Sequence, residues 1–230
     1  MKSSIKEYIS FLSIEKRHSR HTVDAYKRDV ARFVRFFTDR DAESITTQDI
    51  RVFLIRLREE GLSAVSQARC LSSLKSFFRF LLSEKYVKEN PVEILETPKR
   101  MRKLPSVMAI PEVNALLACP DKDTPFGIRD RAMLEVLYAT GLRVSELVSL
   151  KKSDLNLQVG YLRSFGKGSK ERIVPMGEVA RAAVEDYLLR SRPVFLKDRN
   201  ASELFITQQG TGMTRQGFWK ILKRYVLLSN

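Results

Sequence analysis

Ala139-Thr-Gly-Leu-Arg-Val-Ser-Glu-Leu147 sets one arginine between a glycine turn and a short helix. Arg143 therefore sits off any regular solvated helix face, and its planar fork of donors suits the paired oxygens of a phosphate. Taken alone, a structural pair with Glu146 or with Asp130 explains the residue equally well. Further on, Phe165-Gly-Lys-Gly-Ser-Lys-Glu-Arg-Ile-Val-Pro175 reads as a strand, a tight glycine-flanked turn and a second strand, with Lys167 at the tip. An exposed charged turn is the plain alternative. A nucleotide-binding P-loop is excluded, since Tyr161 stands where its first glycine belongs and Gly168 where Ser or Thr must follow the lysine.

Around these stretches the second half of the chain mixes helices and strands. Pro111 reads as the first residue of a helix running through Leu117. Arg129–Ala139 is another, with Met133, Val136 and Leu137 inward, and Ser145–Leu150 a short third. Leu155–Phe165 and Glu171–Met176 read as strands, Leu204–Thr207 as a shorter one, and helices follow at about 178–190 and 214–228.

The first half reads as helices only. Val23, Tyr26, Val30, Phe33, Val34 and Phe37 recur at three- and four-residue steps, with Arg28, Arg32 and Arg35 on the opposite face. A helix near Ser4–Lys16 precedes it. Thr46 with Asp49 opens the next, which Gly61 closes, and Ser63 caps a fourth with Leu71, Leu74, Phe78 and Leu81 inward and Lys75 and Arg79 beside them. Four helices on short turns make a compact bundle. The prolines at 91, 98 and 105 then interrupt the helical pattern around Lys99-Arg100-Met101-Arg102-Lys103. The expected organisation is a helical domain at 1–98, a basic linker at 99–110, and a mixed domain at 111–230. The linker is either a solvated tether or a strap along phosphates.

The 230 residues carry 41 Lys+Arg against 27 Asp+Glu, a net charge of +14. A field of that sign favours nucleic acid, anionic membrane or acidic protein. No basic amphipathic helix stands apart as a membrane anchor and no apolar run is long enough to span one, so nucleic acid leads over a merely well-solvated basic surface. Residues 1–98 hold 18 basic against 14 acidic side chains, a balance of +4, and residues 99–110 alone hold another +4. Cys70 and Cys119 fit neither a disulfide framework nor a metal site, which suits a reducing cytoplasm.

Together the two opening stretches resemble the tyrosine recombinase (phage integrase) family, most closely its Xer-type bacterial members. The resemblance takes in His21-Thr-Val-Asp-Ala-Tyr-Lys-Arg-Asp29, Glu89-Asn-Pro91, Lys103-Leu-Pro105 and Arg129-Asp-Arg-Ala-Met133. It continues through Thr140–Leu147, Gly166-Lys-Gly168 and Met213-Thr-Arg215. It implies a mainly α fold with a small antiparallel sheet: an N-terminal four-helix, SAM-like core-binding domain and an α+β catalytic domain that clamp duplex DNA. In the family a tyrosine attacks a scissile phosphate, giving a 3′-phosphotyrosyl link and a free 5′-hydroxyl, and strands exchange within a tetramer. Neither metal nor nucleotide cofactor is implied.

Carried over residue by residue, Arg143 matches the first clamp arginine and Lys167 the lysine that protonates the departing 5′-oxygen. Glu146 matches a supporting acidic position. The charge pattern adds Arg28, Arg32, Arg35, Lys75, Arg79, Lys99, Arg100, Arg102, Lys103, Lys170, Arg172 and Arg215 as expected DNA contacts. The family's His-x-x-Arg helix, its further His or Trp and its nucleophile find no match. The only histidines are His18 and His21, and Tyr225 lies on an apolar face with Phe218, Ile221 and Leu222. The expectation is a catalytic domain cut short before the nucleophile, which binds duplex DNA, forms no covalent adduct, and joins a homo- or hetero-tetramer with full-length subunits. Chromosome-dimer resolution and mobile-element integration both remain open. So do a non-catalytic regulator of a full-length recombinase and, more weakly, an RNA-binding helical protein.

Overall fold

The computed structural model describes residues 1–38, 40–96, 107–166 and 171–229. The chain divides into two compact units, Met1–Leu104 and Pro105–Asn230.

In the first unit, α1 (Lys2–Ser10) runs on into a wider helical turn at Phe11–Glu15, followed by α2 (Arg20–Phe36), α3 (Thr47–Glu59) and α4 (Ala64–Ser83). The starts of α2, α3 and α4 each have a local cause. Ser19 accepts from the Thr22 amide, Ser63 from the Ser66 amide, and Thr46 exchanges a reciprocal pair of bonds with Asp49. The Arg40 guanidinium and the two Thr46 donors hold the Asp49 carboxyl well below the usual carboxylate range. Gly61, at φ +78°, provides the left-handed turn between α3 and α4. The core between them is aromatic: Phe33 meets Phe53 and Phe78 edge to face at 5.2 and 5.8 Å, and Tyr8 meets Phe77 at 5.2 Å.

The second unit holds α5 (Ile110–Ala118), α6 (Pro125–Thr140) and α7 (Val144–Ser149). A sheet of β1 (Leu155–Asn156), β2 (Tyr161–Phe165) and β3 (Glu171–Pro175) follows, then α8 (Gly177–Asp186), α9 (Arg192–Leu196) and α10 (Arg215–Leu228). The strands are antiparallel in the order β1-β2-β3, with Phe165 opposite Glu171 and Leu162 opposite Val174. α6 is buried through most of its length among α5, α7, α8 and β3.

Four sequence expectations change here. Pro111 is the second helical residue of α5, and Glu112 caps the Ala109 amide at 2.6 Å. α6 begins four residues before Arg129, because Thr124 caps the Gly127 amide and Pro125 takes the first helical position. The single strand expected over Leu155–Phe165 is two, split by a turn in which Gly160 adopts φ +83°. Leu204–Thr207 forms no strand; two isolated bridges, Lys151–Glu203 and Ile206–Gly212, take its place. Of the expected linker, residues 97–106 lie outside the described residues, and Ile110 already belongs to α5. No described helix is long and apolar enough to cross a membrane.

Candidate active site

α6 ends at Gly141, whose φ of +61° turns the chain sharply enough to bury Leu142 and start α7 two residues later. Arg143 is thereby the residue just before the first turn of α7, and Glu146 falls on that turn, facing back. Its carboxylate accepts the Arg143 amide at 2.9 Å and the Arg143 Nη1 at 3.0 Å. From the sheet, Arg172 on β3 donates Nη2 to the same carboxylate at 2.7 Å, on the oxygen that also accepts the Arg143 amide. Glu146 is thus an acidic bridge between two arginines from separate elements.

The exposures differ sharply: the Glu146 side chain is 6% exposed and that of Arg143 70%. The arginine is held from behind while its outer edge faces solvent. Burial alone would raise the Glu146 pKa, but the Arg143 hydrogen bonds and the charges of Arg172 and Arg143 outweigh it and hold the carboxyl below its ordinary value. Glu146 therefore stays ionised throughout the neutral range. Chemically, the arrangement offers a preorganised cation to a phosphate oxygen at little reorganisation cost.

An open cleft is lined by Arg143, Ser145, Glu146, Ser149, Phe165 and Gly166, so the base of the β2–β3 hairpin and the arginine share one surface. Lys167 and Lys170 lie outside the described residues, as do Lys99, Arg100, Arg102 and Lys103. Arg215 is exposed at the first position of α10, beside the Thr214 cap. Arg28, Arg32, Arg35 and Arg79 are exposed on α2 and α4, with Lys75 half-buried among them. Arg172, expected as a DNA contact, has its guanidinium engaged with Glu146, which makes it first a partner of that carboxylate.

Tyr225 is buried on α10 and donates its hydroxyl to Asp130 at 3.1 Å. Burial and the adjacent carboxylate push its phenol up to about 12. Asp130 also accepts from the Arg129 Nε and Nη2 and the Arg224 Nη2, so it pairs with neighbours other than Arg143. Sequence reasoning missed this network, and it missed the bidentate pair between Asp29 on α2 and Arg69 on α4. One signal was available: Asp29 falls on the inward stripe with Tyr26 and Phe33, where a carboxylate requires a partner.

Residues 107–230 match the phage integrase family, and residues 5–85 match the phage integrase N-terminal SAM-like domain. The chain is 43% identical over 228 residues to tyrosine recombinase XerD of Listeria innocua, covering 97% of this chain and 77% of that protein. It is 43% identical over 233 residues to XerD of Staphylococcus epidermidis, covering 100% of this chain and 79% of the relative. Among solved structures, a lambda integrase (75–356) dimer bound to a COC′ core site superposes over the full chain and 78% of its own, with TM-score 0.76 at 20% identity. XerH recombinase in a post-cleavage complex with palindromic difH gives TM-score 0.74 at 19% identity, over 100% of this chain and 68% of its own. These two likenesses speak to the fold, a mostly helical pair of domains with a small antiparallel sheet. With two family matches that together span most of the sequence and relatives above 40% identity, the chain belongs to the phage integrase family and, within it, to the Xer-type tyrosine recombinases.

Proposed function

We propose that this chain is the DNA-gripping and phosphate-activating part of a Xer-type site-specific recombinase, with chromosome-dimer resolution as the process it serves. The observation that carries the proposal is Arg143: an exposed guanidinium anchored at its back by a buried carboxylate, on a surface shared with the base of the β2–β3 hairpin.

In this reading Arg143 binds the non-bridging oxygens of the scissile phosphate, where negative charge builds in the transition state. Lys167 gives a proton to the departing 5′-oxygen as general acid. Glu146 touches no DNA and keeps Arg143 aimed. Arg28, Arg32, Arg35, Lys75 and Arg79 hold the duplex backbone, joined by Lys99, Arg100, Arg102, Lys103, Lys170 and Arg215. The relatives support the larger assembly: a lambda integrase tetramer has been solved on a Holliday junction. By analogy, four subunits, of one kind or two, would act together on duplex DNA in the cytoplasm. Tyr225, buried and bonded to Asp130, is a core residue in this reading and not the attacking tyrosine.

The test is duplex binding as a function of salt. Binding should weaken with a log–log slope of roughly −0.9 per phosphate contact, and Arg143→Ala should lower affinity without unfolding the chain. On a nicked duplex the 230-residue chain should give no denaturation-resistant protein–DNA band. A flat salt response would sink the backbone grip, and a covalent band would show that a tyrosine within these residues attacks.

A further inference from the structure

α2 and α4, which carry the exposed Arg28, Arg32, Arg35 and Arg79, also hold one arginine unlike the rest. Arg69 on α4 donates Nε and Nη2 to the two oxygens of Asp29 on α2, both at 2.9 Å. Asp29 is 8% exposed and Arg69 44%. The Ser73 hydroxyl donates to the same carboxylate at 2.9 Å, so Asp29 is itself fixed. A side-on pair of this kind consumes two of the five guanidinium donors. Of the other three, one hydrogen of Nη1 and the remaining one of Nη2 form the end-on edge, directed away from Asp29.

We propose that Arg69 is a base-reading residue, its end-on edge donating to O6 and N7 of a guanine in the major groove. The inference rests on the DNA-binding reading above and deepens it from backbone grip to sequence recognition. Three features favour a base over a phosphate. Asp29 pairs with Arg69 alone, so its buried charge largely cancels that of Arg69. Glu146, by contrast, is shared by Arg143 and Arg172 and leaves a net positive charge for a phosphate. Arg69 is therefore the poorer phosphate clamp, with its donor geometry intact. Asp29 and Ser73 hold the guanidinium in one orientation, which angular discrimination between bases requires and which a phosphate contact does not. Along α4, the residues one and two turns beyond Arg69 are Ser72 and Ser76, small side chains that let the helix approach the base edges closely. The other exposed arginines of α2 and α4 supply the charge that Arg69 lacks.

The experiment is selection of duplexes from a randomised pool by the whole chain, for wild type, Arg69→Lys, and the charge-neutral pair Asp29→Asn/Arg69→Gln. Circular dichroism checks that each variant is folded. Wild type should show a guanine favoured about 5- to 150-fold at one position of the selected sequence. That preference should weaken in Arg69→Lys, which keeps the charge but loses the planar fork, and collapse in the charge-neutral pair, while preferences elsewhere persist. Independently of any variant, 7-deazaguanine placed at each selected guanine in turn should weaken wild-type binding at that position, because it removes the N7 acceptor. Unchanged preferences in the variants, or no position sensitive to 7-deazaguanine, would overturn the inference and leave Arg69 as a tie between α2 and α4. Loss spread evenly over all sequences, with a salt slope shallower by about 0.9, would overturn it in favour of a phosphate contact. Failure of the wild-type chain to bind any duplex would overturn the DNA-binding reading and this inference together. Binding that is intact but indifferent to Arg69 would overturn this inference alone.

Discussion

Replacing Asp130 by alanine isolates what holds α10 to α6. The carboxylate is fully buried and accepts two bonds from Arg129, at 2.9 and 2.7 Å, one from Arg224 and one from the Tyr225 hydroxyl. Arg129 is itself buried, 6% exposed, so its removal from partnership strands a charge in the core. Breaking a buried pair by deleting one member costs about 3–5 kcal/mol, and the Tyr225 bond adds about 1. Arg224 is 56% exposed, and its share is screened to nearly nothing. Against this, Arg129 keeps the Ile206 carbonyl at 3.3 Å and lies 5.4 and 5.3 Å from the Phe126 and Phe195 ring centres, which together restore about 1–2 kcal/mol. The net loss is about 3 kcal/mol. Urea unfolding followed by the fluorescence of Trp219, the single tryptophan and a residue of α10, reports it. The double variant Arg129→Met/Asp130→Leu should recover most of the loss, because it removes both charges at once. A loss below about 1 kcal/mol in Asp130→Ala would mean that the carbonyl and the two rings suffice to hold Arg129, and the ion-pair argument would fall.

The other predictions concern smaller parts. Glu146 has its folded pKa lowered, so its contribution is fully present above the unfolded carboxyl pKa and is lost as pH falls through the folded value. The stability difference between wild type and Glu146→Gln, measured by urea unfolding, should therefore hold near neutral pH and shrink below about pH 4. Gly127→Ala should destabilise by about 1–3 kcal/mol, since its Cβ would clash with the Asp121 carbonyl oxygen, and thermal unfolding reads this directly. Burial pushes the Cys70 thiol up to about 12, whereas Cys119 is only half-buried. A thiol reagent at neutral pH should accordingly titrate one cysteine per folded chain and two in denaturant.

The helical unit was readable in detail because its signals are local. Ser19, Thr46 and Ser63 cap within three residues, and the apolar spacing of Val23 to Phe37 identifies the buried face of α2 without knowledge of what lies opposite. The Arg143–Glu146 pair was legible as one of two options, being an i,i+3 relation across a helix start. What was not legible depends on distant partners. Nothing near Arg172 in sequence points to Glu146, which lies 26 residues back, and nothing near Arg69 points to Asp29, 40 residues back. The strand expected at Leu204–Thr207 failed for a related reason. A short apolar run such as Leu204-Phe-Ile206 suggests a strand, but a strand also needs a neighbouring ladder, and there the chain meets only single-residue bridges.

Three of the carboxylate–arginine pairs among the described residues share the same chemistry, and burial decides what each one does. In the Asp130–Arg129 pair both members are buried, so the pair serves only the fold, and removing one member strands the other. In the Glu146–Arg143 and Asp29–Arg69 pairs the carboxylate is buried while the arginine is 70% or 44% exposed. An exposed guanidinium loses little on losing its partner, because water solvates it; what it loses is orientation. Neutralising Glu146 or Asp29 as the amide should therefore lower the affinity or selectivity for DNA by a larger factor than it lowers the folding equilibrium constant. Asp130→Asn should do the reverse. Comparable effects on folding and DNA binding in all three amides would mean that the buried carboxylates hold elements together and do not aim the arginines.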